Sequence, residues 1–392
     1  MPSKELQTES YTAGILGGGQ LAWLLNLSAQ KFGLKTKVWD PKPGATGFRA
    51  ATHIHSSPWP ANESIETELR SFLKGVDFVS LEWESLPPLL LESIEKCGMD
   101  LFPSSSAVAC AASRVKEKRI FEKLGFDQAR WIAVESTALL TEDLWAAFWR
   151  SSEFDKAFLK HDRGGYDGKG QACIEVGTTV DAARDFFDLG AGAGIIEASV
   201  DLAFEVSVVL SRNFKGEISV LGLFENTHEN GILRVSRVIE ESDFFDVSHA
   251  ISMAKSLAIE TKFVGTMALE LFVDQGGKIM ANEWAPRVHN SGHLSLDAYE
   301  YSQFDMHWKS ILGLPFANNA KKKDVVMVNV LAEDVDNEKS YLDILGTREP
   351  NSFLAKHLLP DEMDQIKSVV PYDYAKKKLS AGRKMGHLNV IF

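Results

Sequence analysis

The sequence predicts a mixed α/β and α+β chain in three parts: an N-terminal parallel sheet, a small β-rich lid and a C-terminal antiparallel sheet. Three observations predict it. "TAGILGGGQLAWLLNLSAQKFGLKTKVWDP" reads strand, glycine turn, amphipathic helix, strand, a unit that implies a parallel sheet with a crossover helix. Short strands and helices then alternate on a small scale. From about Phe204 the strands lengthen and follow one another through turns such as "DQGGK", which suggests antiparallel pairing. A length of 392 residues fits two or three domains. The expected boundaries are 1–112, 113–200 and 201–392.

In chain order, "GVDFVSLEWE" extends the first sheet and ends in two acids. "SSSAVACAASRVKEKRIFEKLGF" gives two helices, the first with a serine available to cap it. "KAFLKH" and "QACIEV" are strands flanking the loop "DRGGYDG". "TVDAARDFFDLG" is a helix ended by Gly190, and "GIIEASVD" is a short strand. "FEVSVVLSR", "EISVLGLFE", "ILRVSRVI", "VGTMALELFVD" and "GKIMANEWA" are the long strands, with helices near 246–259 and 297–312. The tail adds strands, expected to form a small terminal sheet.

Composition excludes several classes. A formal charge of −12 argues against non-specific nucleic-acid binding, which needs a basic face. Cys97, Cys110 and Cys173 are sparse and show no CxxC, which fits reduced cytosolic thiols better than a disulfide frame or zinc site. The N-terminus lacks the apolar core of a signal peptide, and the richest apolar stretch is short and interrupted by Glu205. A soluble, cytoplasmic protein without membrane partners is the expectation.

Four stretches carry candidate chemistry. "GILGGGQLA" matches a dinucleotide fingerprint at Gly17, Gly19 and Ala22, with Asp40 as the acid beyond it; an anion at the helix N-terminus, or simply a tight turn, fits as well. "LKHDRGGYDGKGQ" combines four glycines with Lys160 and Lys169, so backbone N–H groups and lysines could hold triphosphate oxygens, or the stretch is a hairpin with solvated lysines. Glu270 and Glu283 lie on strands that the "DQGG" hairpin could pair, and Asn282 adds a carbonyl. Such oxygen-only ligation suits Mg²⁺ on nucleotide phosphates, the alternative being an exposed strand face. Lys376, Arg383 and Lys384 form either a phosphate clamp or a solvated charge run.

"GILGGGQLA", "SLEWE", "SRVKEKRIFEKLG", "GGYDGKGQ", "THENGILR", "NEWAPRVHNSGH" and "GRKMGHLN" occur in an order that resembles the ATP-grasp superfamily. Within it they resemble the N5-carboxyaminoimidazole ribonucleotide synthetase family, over almost the whole chain. The resemblance implies a three-domain ATP-grasp architecture with a Rossmann-like N-terminal domain, and a homodimer. It implies ATP-dependent carboxylation of aminoimidazole ribonucleotide with bicarbonate in purine biosynthesis. ATP would meet Arg114, Lys160, the loop Gly165, Tyr166, Asp167, Gly168, Lys169, Gly170 and Gln171, then Glu197, Ala198, Ser199, Val200, Glu205 and His228. Mg²⁺ would lie on Glu270 and Glu283, with Asn282 beside the phosphates. The ribonucleotide would meet Gln20, Glu82, Tyr166, Asp167, His289 and Asn290, and its phosphate Lys376, Arg383 and Lys384. Lys169, Tyr166, Asp167 and His289 would serve the carboxylation centre.

The chain departs from the family's pattern at Ala22 and Trp23, where glycine and arginine are usual, and at Trp284, where a branched aliphatic is usual. Three other readings compete. A sister ligase such as formate-dependent glycinamide ribonucleotide transformylase shares the frame. An NAD-dependent oxidoreductase rests on the first glycine cluster alone. A binding-only paralogue is disfavoured by the intact Glu270 and Glu283.

Overall fold

The computed structural model describes residues 11–60, 65–150, 155–165, 170–190, 192–316, 318–335, 344, 350–376 and 378–392. The N-terminal part is a five-stranded parallel sheet built from β1 (Thr12–Leu16), β2 (Lys35–Trp39), β3 (His53–His55), β4 (Phe78–Leu81) and β5 (Leu101–Phe102), in the order β3-β2-β1-β4-β5. Order 3-2-1-4-5 is the doubly wound pattern, whose ligand crevice opens at the carboxyl ends of the central strands. β1 and β4 are buried along their length and mostly apolar, as parallel strands covered on both faces must be. Their carboxyl ends deliver the glycine loop and Glu82.

The helices Ser105–Ala111 and Arg114–Lys123 follow, capped by Ser104 and Ser113 through the N–H groups of Ala107 and Lys116. Ala107 and Phe121 do not join the lid core; they pack beneath the large sheet with Met253, Leu257 and Trp284. The chain enters the small sheet only at β6 (Trp131–Val134), joined by β7 (Lys156–His161), β8 (Gln171–Glu175) and β9 (Gly194–Ala198) in the antiparallel order β6-β9-β7-β8. Helices Glu142–Arg150 and Val180–Asp188 close its apolar face around Trp145, Phe148 and Phe187.

The third sheet has eight strands: β10 (Leu202–Arg212), β11 (Ile218–Glu229), β12 (Ile232–Ile239), β13 (Gly265–Asp274), β14 (Ile279–Ala285), β15 (Val325–Leu331), β16 (Ser368–Asp373) and β17 (Lys384–Ile391). Their order is β14-β13-β10-β11-β12-β15-β17-β16, antiparallel throughout. The expected small terminal sheet is therefore corrected. β12 pairs with β15, so the tail strands extend the large sheet, and pairing satisfies an edge that would otherwise be exposed. The helix Val247–Glu260 covers one face, against Leu269 and Leu271. The helical region expected over 297–312 is interrupted, with a short turn at Ser295–Ala298 and the main helix at Gln303–Leu312.

That last helix ties the first sheet to the third. Phe304 and Trp308 pack among Ala13, Ile15, Leu24 and Leu25. The Trp308 indole N–H donates to the Leu25 carbonyl at 2.9 Å, and Ser28 Oγ donates to Asp305 at 2.6 Å. Opposite walls of the cleft are thus fixed through buried contacts. No helix among the described residues is long and apolar enough to cross a membrane.

Candidate active site

The three sheets meet around one cleft of about 920 Å³. Its lining includes the sequence-derived candidates Gln20, Glu82, Arg114, Lys160, Gly165, Gln171, Glu197, Ala198, Ser199, Val200, Glu205, His228, Glu270, Asn282, Glu283, His289, Asn290, Lys376, Arg383 and Lys384. Gly170 is not on that wall; its carbonyl accepts the His161 N–H and closes the β7–β8 hairpin. Tyr166, Asp167, Gly168 and Lys169 lie outside the described residues.

Cations and acids alternate at the lid. Glu197 at the end of β9 forms ion pairs with Lys118 and with Lys160, the latter at 2.5 Å. Lys118 and Glu197 are 1% and 2% exposed, so neither charge is tolerable without the other. Burial alone would raise the Glu197 carboxyl, but the two lysines outweigh it and hold it at about 2. Lys118 also donates to the Asn282 carbonyl at 3.1 Å, which couples the helix Arg114–Lys123 to β14. Apolar Phe158, Leu202 and Phe272 complete this end beside Ala198 and Val200, a slot suited to a flat heterocycle.

Glu270 and Glu283 stand directly opposite each other across β13 and β14. The register then shifts, so that Leu271 pairs with Ala281 and Asn282 is the extra residue. This bulge explains how neighbouring Asn282 and Glu283 both reach the cleft, which plain strand alternation forbids. Glu283 is bonded to Arg114, and Arg114 also lies 3.4 Å from Glu117. Burial would raise the Glu283 carboxyl, yet Arg114, aided by Lys160 and His289, keeps it well below the ordinary range. His289 Nε2 is 2.8 Å from Glu270, and its Nδ1 faces Ser291 Oγ at 2.8 Å.

The donor set fits a hard divalent cation. Glu205, His228 and Glu270 bring ligand atoms within 4.8 Å of one another, and the Asn282 side-chain oxygen is buried without a partner. Burial, then the charges of Glu270 and Glu283, push the Glu205 carboxyl up to about 8. Such crowding is what a bound cation relieves, and the carboxylate and amide oxygens here, unlike the His228 imidazole, suit Mg²⁺.

The N-terminal wall corrects one reading. The N–H groups of Gly19 and Ala22 donate to Glu82 at 2.7 and 3.2 Å, and Gly18 donates to Asp40 at 2.8 Å. Gly17 has φ +92°, and a Cβ there would meet Glu82 at 2.7 Å. The glycine loop therefore packs against the chain's own acids. The helix N-terminus is satisfied internally, and the N–H groups that a dinucleotide pyrophosphate would need are taken. Burial raises the Glu82 carboxyl to about 7 despite those two N–H groups.

At the far side Lys376 Nζ donates to Gln20 Oε1 and to the Lys384 carbonyl, both at 2.8 Å. Arg383 leans on the Lys378 carbonyl at 3.0 Å. Lys384 opens β17, so its backbone is held by the sheet. Three cations here face the cleft.

Sequence reasoning missed Glu117, Lys118, and the Glu84–Arg287 pair with its 2.5 Å contact. Glu117 is buried and accepts the Trp284 N–H at 2.7 Å. The signal available for Glu84 and Arg287 was their place in "SLEWE" and "NEWAPR". Nothing local marked Lys118 as buried.

Family models match three consecutive segments: a ribonucleotide synthetase preATP-grasp domain over 11–112, an ATP-grasp domain over 119–304, and a phosphoribosylaminoimidazole carboxylase C-terminal domain over 325–392. The N5-carboxyaminoimidazole ribonucleotide synthase of Brucella melitensis is 31% identical over 97% of this chain and 96% of its own length. That of Bacillus subtilis is 30% identical over 99% and 93%. A crystal structure of an ADP complex of N5-carboxyaminoimidazole ribonucleotide synthetase superposes with TM-score 0.81 at 32% identity, covering 98% of this chain and 93% of that one. The Staphylococcus aureus enzyme complexed with ADP superposes with TM-score 0.82 at 26% identity, over 99% and 95%.

Proposed function

Since this chain belongs to the N5-carboxyaminoimidazole ribonucleotide synthase family, we propose that it carboxylates 5-aminoimidazole ribonucleotide with bicarbonate at the expense of ATP. It is an ATP-grasp ligase of purine biosynthesis. The observation that carries the reading is a shared cleft, lined both by the acids of β10, β13 and β14 and by Lys376, Arg383 and Lys384. A nucleotide and a second phosphorylated substrate can be held there at once by separate cations.

ATP would lie between lid and large sheet, its base against Ala198, Val200 and Phe272 and its phosphates toward Arg114 and Lys160. Glu270 and Glu283 would hold Mg²⁺, with Asn282 beside the phosphates; the ion supplies neutralisation of phosphate charge. Bicarbonate oxygen takes the terminal phosphoryl group, giving carboxyphosphate and ADP. Arg114 and Lys160 stabilise the charge that develops, which is most of what such a transfer requires of a protein. The ribonucleotide's exocyclic amine then attacks the carboxyl carbon, or CO₂ released from it, and inorganic phosphate leaves. His289 and Asn290 would orient that amine, with His289 aligned by Glu270 and Ser291. Tyr166, Asp167 and Lys169 would join them from the glycine loop. Gln20, Glu82 and the three tail cations would hold the ribonucleotide. A homodimer and a cytoplasmic location complete the proposal; the unpaired Cys97, Cys110 and Cys173 agree with the latter.

The test is coupled turnover. ADP release should require aminoimidazole ribonucleotide and bicarbonate together, with carbon from labelled bicarbonate entering an acid-labile product. ADP release with formate and glycinamide ribonucleotide instead would overturn it in favour of the sister transformylase.

A further inference from the structure

Lys376 is aimed at the cleft by an unusual piece of backbone. Ala375, next to it, has φ +49°, a conformation that a residue with a Cβ adopts only when its surroundings enforce it. The enforcement comes from both sides of residues 373–376. The Ala375 N–H donates to Asp373 Oδ1 at 2.6 Å. Tyr374 is fully buried, its hydroxyl 2.8 Å from His387 Nδ1 and its carbonyl accepting Thr46 Oγ1 at 3.1 Å. The Lys376 ammonium sits over the Tyr374 ring at 5.2 Å. Behind that ring stands Trp23, edge-on at 6.3 Å, and the Arg49 guanidinium covers Trp23 at 5.2 Å. Arg49 also donates to the Asp373 carbonyl at 3.1 Å.

We propose that Trp23 and Arg49 are positioning residues for Lys376, acting through Tyr374 to hold its ammonium where the ribonucleotide phosphate binds. The inference rests on the proposed role of Lys376. Neither Trp23 nor Arg49 lines the cleft, so each acts on substrate through its neighbours: the 373–376 turn and, for Trp23, also the helix that carries Gln20, whose Oε1 accepts Lys376 Nζ at 2.8 Å. The clasp joins the first helix to the tail across the whole chain, and its members bind by cation–aromatic and edge contacts, which depend on ring position rather than on a single hydrogen bond. The clasp sets the height of the Tyr374 ring and, together with Gln20 Oε1 and the Lys384 carbonyl that accept the ammonium, the direction of the lysine beyond it.

Steady-state kinetics, with each substrate varied, test the idea in full-length Trp23→Ala, Trp23→Phe, Arg49→Gln, Lys376→Ala and the Trp23→Ala/Lys376→Ala double variant. Lys376→Ala should raise the KM for the ribonucleotide about tenfold and leave that for ATP within about twofold, as loss of one charged hydrogen bond predicts. Trp23→Ala should reproduce most of that rise, Trp23→Phe should restore affinity to within about threefold, and exposed Arg49→Gln should give a smaller rise in the same direction. The double variant should be no worse than Lys376→Ala alone. A Trp23→Ala loss that recurs in full on the Lys376→Ala background, or falls equally on ATP, overturns the clasp as a positioning device. Unchanged ribonucleotide KM in Arg49→Gln together with Trp23→Ala also overturns it. An unchanged KM in Lys376→Ala shows instead that the phosphate assignment of Lys376 is at fault, and the clasp falls with it.

Discussion

The two ends of the cleft hold their charges in opposite ways. At the lid, Lys118, Lys160 and Glu197 neutralise one another under cover of the sheets, and Arg114 does the same for Glu283. At the tail, Lys376 and Arg383 rest on carbonyl oxygens of their own loop, half open to water. Paired buried charges are rigid and mutually dependent, whereas Arg383 is held by a backbone carbonyl and Lys376 by a carbonyl and Gln20 Oε1. The difference teaches that the first region couples chemistry to folding and the second separates them.

Breaking the lid network should therefore do the most damage. Glu197→Ala leaves two lysines facing each other in the interior and should lower stability by about 3–5 kcal/mol, read from urea unfolding. A loss below about 1 kcal/mol would show that water reaches these lysines and that the contrast is false. Next, Glu283→Gln keeps shape but takes the charged partner from Arg114, so ADP release should fall at least about a hundredfold with a loss of stability smaller than that of Glu197→Ala. Wild-type turnover at saturating Mg²⁺ would remove Glu283 from the metal.

The tail sharpens the comparison from its other side. Changing Arg383 and Lys384 together to alanine should raise the ribonucleotide KM at least about tenfold, through lost charged hydrogen bonds, with ATP affinity and unfolding midpoint nearly unmoved. Equal losses for both substrates would merge the two regions into one. The smallest effect concerns Glu82, a half-buried acid that accepts backbone N–H groups and forms no ion pair of its own among the described residues. Its folded-state carboxyl sits near 7 against an ordinary 4.5, so between those values the folded chain keeps a proton that the unfolded chain has lost. Its contribution to stability is therefore full below about pH 4.5, falls as pH rises, and levels off above about 7. Glu82→Gln should flatten that decline in a pH series of thermal midpoints; an unaltered slope would place the titrating group elsewhere.

Much of this was legible in the sequence because it followed local rules. Strand alternation put Glu270 opposite to Leu269 and Leu271, and the short hairpin at "DQGG" paired it with Glu283. The glycine turn and its flanking strands announced a parallel sheet, which β1 and β2 form. Burial that depends on distant partners was not legible. "RVKEKRIFEK" looks like a solvated helix face, and only its docking beside β9 and β14 buries Glu117 and Lys118. The glycine loop misled for a related reason: the anion suited to its helix terminus is a carboxylate from β4's end, contributed by Glu82 of the same chain. The bulge at Asn282 was equally silent, since an extra residue in a strand leaves no compositional mark.

The placement of β17 between β15 and β16 bears on how the protein is born. A ribosome releases the chain from its N-terminus, and strands β10 to β14 with the nucleotide-facing acids emerge well before residues 376–391. Until then β15 has a bare edge, the loop that presents Lys376, Arg383 and Lys384 has nothing to anchor it, and the acids of the cleft face no opposing cations from the tail. Nascent chains should thus be able to assemble the parallel sheet early, yet stay incompetent toward the phosphorylated substrate until the last strands slot in. That exposed edge is a place where chaperone cover would guard the nascent chain against wrong pairing.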